Sequence, residues 1–349
     1  MHLQNLSLLL LVAIFAAGAV AIWIAGNYLS KSTDILSRRF GLGEALGGMI
    51  LLAFVTNLPE IAIVISAASQ HKVSLAVGNI LGGISIQTVV LVVLDAFGAS
   101  KTSLTYQSSS LTRALEAMLV IAVLSVVVMG HQLPASLTFF RCTPQSLLIM
   151  IVWIAGLKLI AKAGKGLPWQ LKQNSDQQQD KKDKNGEMKK KSTGYVSTIF
   201  ITTAIVTLVA GLALERSSDA ISGKIGMDGV LFGATVLAAA TSLPEVSTGL
   251  AAMKAKQYEL AVSDIFGGNA FLPVLFVLAA VISGNSVIPA ANKADIYLTG
   301  LAIMLTGIYT WGIIFKSPKK ILAMGIDSFI VLLTYIAGVA GLFAVASGS

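Results

Sequence analysis

The sequence predicts an all-α polytopic membrane protein of ten transmembrane helices, arranged as a 5+5 inverted-topology repeat. Three observations lead there. Hydrophobic residues fill 55% of the 349 positions and charged ones only 12%, far fewer charges than a soluble domain of this length carries. The apolar residues gather into segments of about 20 or more, long enough to cross a bilayer as helices, and the alternation expected of barrel strands is absent. One of these segments returns far down the chain with a proline and a carboxylate at its centre.

In chain order, the first span covers about 6–29. Only His2, Gln4 and Asn5 precede it, without the basic stretch of a secretory signal, so it reads as a retained helix. The second, about 43–69, carries Thr56-Asn57-Leu58-Pro59-Glu60. The third, 73–97, closes on Asp95, and the fourth and fifth cover 111–130 and 144–163. The sixth is 195–215, and the seventh, 226–253, carries Thr241-Ser242-Leu243-Pro244-Glu245. The eighth, ninth and tenth are 258–283, 293–315 and 320–346. The longest of these exceed a straight crossing, which predicts tilt or breaks within them.

Between the fifth and sixth spans, residues 164–194 form a polar, lysine-rich stretch of low complexity that cannot bury a core. It reads as a solvated linker; clustered lysines there would also gain about 1 kcal/mol each beside anionic lipid. The linker divides the chain into an N-terminal half, 1–163, and a C-terminal half, 195–349. Five spans per half is an odd number, so the second half must enter the membrane from the opposite side. Alternate loops hold the basic residues unequally. Twenty of them, including Lys31, Arg38, Arg39, Lys101, Arg113, those from Lys158 to Lys191, Lys254, Lys256, Lys316, Lys319 and Lys320, fall on one side. Lys72, Arg141, Arg216, Lys224 and Lys293 fall on the other. The excess marks the cytoplasm, with the 164–194 loop inside, both termini outside, and a prokaryotic inner membrane as the setting.

The net charge of +8 is absorbed by these loops and asks for no nucleic-acid partner. Cys142, the only cysteine, allows no intramolecular disulfide and has no zinc-site spacing. There is no phosphate-binding Gly-rich loop with Lys-Ser/Thr, so no nucleotide or other cofactor is expected. No nucleophile–base pair accompanies the carboxylates, which argues against an enzyme. The partners left are small inorganic cations and the lipid bilayer.

At an offset of 185, Gly48 to Val89 aligns without a gap on Gly233 to Val274, with Thr56, Leu58, Pro59 and Glu60 meeting identical residues except at the intervening Asn57. Proline removes a backbone donor and disfavours helix at the preceding residue, which should free carbonyls near Ala53 to Thr56. Irregular backbone at membrane depth persists only where it lines a cavity or is buried in protein. Beside it stand Thr56 and Asn57, or Thr241 and Ser242, which with Glu60 and Glu245 make hard oxygen ligands suited to sodium or calcium. In the next span Asn79, Gly83 and Gln87 share one helix face, with Asp264, Gly268 and Leu272 as counterparts. The paired glycines Gly82-Gly83 and Gly267-Gly268 would admit another helix backbone. Inverted halves should bring Glu60 and Glu245 together near the midplane, where two carboxylates do not both stay ionised without a divalent cation, two monovalent ones, or protons.

These residues resemble the cation/calcium exchanger superfamily, through two alpha-repeats at about 43–95 and 228–281. The resemblance implies a secondary antiporter exchanging calcium, or a similar small cation, against protons or sodium by alternating access. By similarity, Glu60 and Glu245 are the central ligands, with Thr56, Asn57, Thr241, Ser242 and Gln87 around them and Asn79, Asp264 and Asn269 as secondary positions. The chain departs from the Gly-Ser-Asn-x-Phe-Asn/Asp pattern of sodium/calcium members. It has Gly82-Gly83-Ile84-Ser85-Ile86-Gln87 and Gly267-Gly268-Asn269-Ala270-Phe271-Leu272, which removes side-chain oxygens from the flanking sodium positions. Alternatives are a proton- or sodium-handling relative without calcium transport, and a non-transporting cation sensor. Asp264 reads either as a displaced carboxylate or as a helix-end cap. Asp95, Glu116 and Asp327 are candidates for an ion path because intramembrane carboxylates are functional by default.

Overall fold

The computed structural model describes residues 3–40, 51–98, 102–134, 136, 142–164, 166, 191–227 and 229–347. His2, the start of the first repeat up to position 50, Lys101, Arg141, Asp228 and nearly all of the 164–194 linker lie outside the described residues. Helices dominate, as the apolar segments require, because a spanning chain must satisfy its backbone hydrogen bonds internally. Among the described residues eight helices are long and apolar enough to cross a membrane, and a ninth span results if one bent pair is counted as a single crossing.

α1 runs from Leu8 to Arg39. The second span is broken into α2 (Leu52–Thr56) and α3 (Leu58–Ser69), followed by α4 (Val73–Phe97), short α5 (Leu104–Gln107), α6 (Leu111–His131) and α7 (Pro144–Ala163). α8 covers Thr193–Ile225. The seventh span is α9 (Gly229–Phe232), a π-turn over Gly233–Leu237, α10 (Ala238–Thr241) and α11 (Leu243–Lys254). α12 (Tyr258–Phe271) and α13 (Leu275–Ser283) follow, then α14 (Lys293–Phe315). A two-stranded hairpin, β1 (Lys320–Ile321) with β2 (Met324–Gly325), leads into α15 (Ile326–Ser347).

Three boundaries differ from the sequence reading. α1 and α8 outlast their apolar windows by about three turns each, so Lys31, Arg38, Arg39, Arg216 and Lys224 are helical rather than loop residues. In the α1 extension Ser32, Thr33 and Ser37 are buried, their polar groups satisfied within the helix: Ser32 Oγ donates to Tyr28 O at 2.8 Å and Thr33 Oγ1 to Leu29 O at 2.8 Å. The last span begins at Ile326, not 320, because Lys316 adopts a left-handed conformation and Pro318 follows it. The eighth span is not continuous either: Pro273 interrupts it with a 3₁₀ turn over Leu272–Val274.

Packing between the halves is reciprocal. α1 lies along α8; α1 also packs on α11, and α8 on α3. α4 packs on α14, and α12 on α6. Glycine makes the closest of these approaches possible. A Cβ on Gly26 would stand 2.9 Å from Pro244 Cβ, and one on Gly211 would stand 3.0 Å from Pro59 Cα. Gly26 and Gly211 are themselves 185 positions apart, so the same outer helix touches the opposite repeat's proline break in each half.

At the far end of α4, Asp95 is fully buried and ties α4 to four other elements. Its Oδ1 accepts from Leu104 N at 2.8 Å, and its Oδ2 accepts from Gly325 N at 2.6 Å and Ser328 Oγ at 2.7 Å. Lys320 Nζ stands 3.7 Å from Oδ1. Both oxygens are occupied by this structural work, which leaves little of the carboxylate for an ion path. Asp95→Ala is expected to lower stability by about 3–5 kcal/mol by leaving buried donors and Lys320 unmatched; thermal melting in detergent checks this, and a loss under about 1 kcal/mol would contradict it.

Candidate ion-binding site

Both proline breaks place the glutamate in the first turn of a new helix, at Glu60 in α3 and Glu245 in α11. Proline belongs there, since the first helical turn has no use for its missing N–H, and the N-terminal end of a helix favours negative charge. In the second repeat the two segments meet at 46°. The carbonyls freed by the break are not left bare as the sequence implied. Ala53 O accepts from Asn57 Nδ2 at 2.6 Å, and Ala238 O accepts from Ser242 Oγ at 2.8 Å and Thr241 Oγ1 at 3.2 Å.

Glu60 is 0% and Glu245 1% exposed, and the two charges are near enough to repel. Among the described residues neither Glu60 oxygen has a hydrogen-bond partner, nor has Glu245 Oε2. The Thr241 hydroxyl and Gln87 amide lie beside the Glu60 carboxylate without closing a hydrogen bond to it. Gln87 Nε2 donates to Asn57 Oδ1 at 3.0 Å and reaches Glu245 Oε1 at 3.4 Å, while Gln87 Oε1 is buried and unpartnered. Unpaired carboxylate oxygens in a water-poor interior are costly. They form an environment that a cation would stabilise.

Asp264 also belongs here. It sits mid-helix in α12, 2% exposed, so it does not cap a helix end. Its Oδ2 accepts from Thr248 Oγ1 at 2.8 Å, and its Oδ1 lies 3.3 Å from Thr56 Oγ1. Asn269 instead turns to α4, donating from Nδ2 to Thr88 Oγ1 at 3.0 Å. Asn79 is buried with neither amide atom bonded. Among the described residues no three His, Cys, Asp or Glu side chains stand close enough to hold a metal ion by themselves; any coordination shell must draw on hydroxyls, amides and carbonyls as well. Glu116 is taken up elsewhere, by Arg113 Nη1 at 3.0 Å and Ser263 Oγ at 3.1 Å.

The two glycines that replace the pattern's serines have different surroundings. A Cβ on Gly268 would stand 2.7 Å from Asn57 Nδ2 and 3.4 Å from Gln87 Oε1, whereas one on Gly83 would meet only Leu272 Cδ1 at 3.7 Å. One flank of the glutamate pair is therefore filled by amides, and the other borders an apolar leucine that offers no oxygen. Gly268→Ser is expected to displace the Asn57–Gln87 pair and lower cation flux about tenfold, while Gly83→Ser stays within about twofold. Equal effects in a vesicle flux assay would contradict this asymmetry.

Sequence reasoning did not find Thr248, although it stands three residues after Glu245, one helical turn on. It also passed over Gly26 and Gly211, whose spacing of 185 repeats the internal offset outside the aligned stretch.

Among the described residues the two carboxylates are buried without counter-charge at reciprocal helix breaks, inside a set of membrane-length apolar helices. The chain belongs to the sodium/calcium exchanger protein family, whose model matches residues 10–159 and 195–344. The inner membrane protein YrbG of Escherichia coli is 24% identical over 322 residues, covering 91% of this chain and 93% of that one. The sodium/calcium exchanger MaX1 of Methanosarcina acetivorans is 31% identical over a stretch of 80 residues, 23% of each chain. A solved structure of the sodium-calcium exchanger NCX_Mj, soaked with sodium and strontium, shares the fold with a TM-score of 0.64 at 16% identity, over 96% of this chain and 99% of that one.

Proposed function

We propose that this chain is a secondary cation antiporter, exchanging calcium or a similar small cation against protons or sodium by alternating access at the Glu60–Glu245 site. Thr56, Asn57, Thr241, Ser242 and Gln87 complete the site, with Asn79, Asp264 and Asn269 as secondary positions. One observation carries the reading: two buried glutamates, three of whose four oxygens have no partner, at the first turns of two helices related by an internal repeat. Family membership supports it. Empty, the site holds charges that cannot cheaply stay ionised in low dielectric, so the transition between outward and inward access is expected to occur only with ions bound. That restriction is what couples one ion to another. Energy comes from an ion gradient, with neither a cofactor nor a chemical reaction involved.

The architecture that goes with this function is ten spans in two inverted sets of five, 1–163 and 195–349, joined by a cytoplasmic 164–194 linker. The reciprocal contacts of α1 with α11 and α8 with α3 support that arrangement, as does the basic-residue bias, which sets both termini outside a cell inner membrane.

To test the function, inside-out vesicles are given a pH gradient or a sodium gradient separately, and uptake of calcium and manganese is followed. The antiporter reading predicts uptake under at least one gradient that collapses when an ionophore dissipates it. Uptake indifferent to both gradients would overturn the reading.

A further inference from the structure

Glu60 and Glu245 have equivalent positions in the two repeats, but the residues around them are not equivalent. At the same offset of 185, Thr248 and Asp264 of the second repeat correspond to Ile63 and Asn79 of the first. A hydroxyl and a carboxylate thus stand together on one side where the other side has an alkyl group and an amide. In the second repeat the pair is bonded, Thr248 Oγ1 to Asp264 Oδ2 at 2.8 Å, joining α11 to α12. The other Asp264 oxygen lies 3.3 Å from Thr56 Oγ1, and Thr56 belongs to the first repeat's break and also lies beside the Glu245 carboxylate. Asp264 therefore reaches across to the opposite repeat through a hydroxyl already placed in the site.

Hydroxyl donors orient a carboxylate without neutralising it. No lysine, arginine or histidine stands beside Glu60, Glu245 or Asp264 among the described residues. Charged side chains near other buried carboxylates, such as Arg113 at Glu116 and Lys320 at Asp95, show how the fold compensates charge where no ion is needed. Here that compensation is missing, and Glu60 Oε1, Glu60 Oε2 and Glu245 Oε2 are buried without partners.

We propose that Asp264, positioned by Thr248 and linked to the site through Thr56 rather than clustered with the two glutamates, supplies the site's third negative charge as a ligand reached through that hydroxyl, and favours divalent over monovalent cations. The inference rests on the antiporter reading of the Glu60–Glu245 pair. Its physical basis is that attraction to a fixed negative charge doubles with cation charge, and that the number of charged oxygen ligands is a main control of calcium affinity. Of the two flanks, one is filled by amides at Gly268 and the other offers only the Leu272 alkyl group at Gly83, so neither adds a charge, and Asp264 is the group that can add one to the central site. Thr248 is a positioning residue, since it acts through Asp264.

The test measures binding of radioactive calcium to the purified full chain in detergent, with displacement by sodium chloride, for the unaltered chain, Asp264→Asn, Thr248→Val and Glu60→Gln. Asp264→Asn is expected to weaken apparent calcium affinity about tenfold or more and to change the sodium displacement constant by less than about threefold. Thr248→Val, which keeps every charge, shifts calcium in the same direction by a smaller factor. Calcium affinity of Asp264→Asn within about twofold of the unaltered chain, while Glu60→Gln abolishes binding, overturns the third-ligand assignment and leaves the glutamate site standing. Equal weakening of calcium and sodium overturns the selectivity. Calcium binding unchanged in Glu60→Gln, or absent from the unaltered chain, overturns the site itself. Thermal melting of each variant separates loss of a ligand from loss of fold, and if Asp264→Asn does not fold, the Thr248→Val ratio of calcium to sodium decides.

Discussion

Glu60→Gln and Glu245→Gln are each expected to eliminate cation exchange, lowering initial flux about a hundredfold or more, the equivalent of about 3 kcal/mol. Glutamine keeps the shape and one acceptor oxygen but removes the charge that balances the cation. The substitution should not harm the fold. Neither Glu60 oxygen has a partner to lose among the described residues, and removing an uncompensated buried charge is neutral or stabilising, so the thermal transition in ion-free detergent should hold or rise. This opposite movement, flux lost and stability kept, distinguishes an ion ligand from a structural carboxylate such as Asp95, for which stability falls. Flux retained in both variants would remove the glutamates from the site.

The second large effect is expected far from any charge. Gly211→Leu and Gly26→Leu should each reduce flux at least about tenfold, because neither glycine has room for a side chain against the proline breaks. Gly211 meets Pro59, the residue before Glu60, and Gly26 meets Pro244, the residue before Glu245. A leucine must push α8 or α1 away from the break or rotate the glutamate that follows it. Alanine at either position should give an intermediate loss. Gly223→Leu, on the same helix α8 but with nothing within 4 Å of its Cβ position, should retain flux within about twofold. Comparable losses at Gly211 and Gly223 would show that stiffening of α8 by replacing a glycine, not contact with the break, is responsible.

The repeat was legible because two apolar segments carried the same costly residues in the same order, and Pro-Glu inside a membrane span has few cheap explanations. From it followed the breaks at Asn57 and Ser242 and the burial of both glutamates. Helix lengths were less legible. Hydropathy locates the part of α1 and α8 that matches the hydrocarbon, but not the extensions, whose buried serine and threonine hydroxyls are satisfied within their own helix and so leave no apolar signal. The surroundings of the glutamates were least legible. Glycine at positions 83 and 268 looks alike in sequence, yet one faces leucine and the other an amide pair, because Asn57 and Ser242 differ in reach. Asp264 lies nearly two turns into α12, which begins at Tyr258 where the 258–283 span also began, so it does not cap that helix, and a mid-helix carboxylate must find its partners across the interface.

The claim that one carboxylate site serves two ions in turn is tested most directly by counterflow. Sealed vesicles containing the protein are loaded with radioactive calcium and diluted into medium free of sodium and calcium at matched pH, or into the same medium with unlabelled calcium, sodium or a proton gradient added. An antiporter built on Glu60 and Glu245 predicts that label stays inside until a cation that fits the site is supplied outside, and then leaves rapidly, with no release from Glu60→Gln vesicles. Rapid loss of label into cation-free medium from the unaltered protein would contradict coupled exchange.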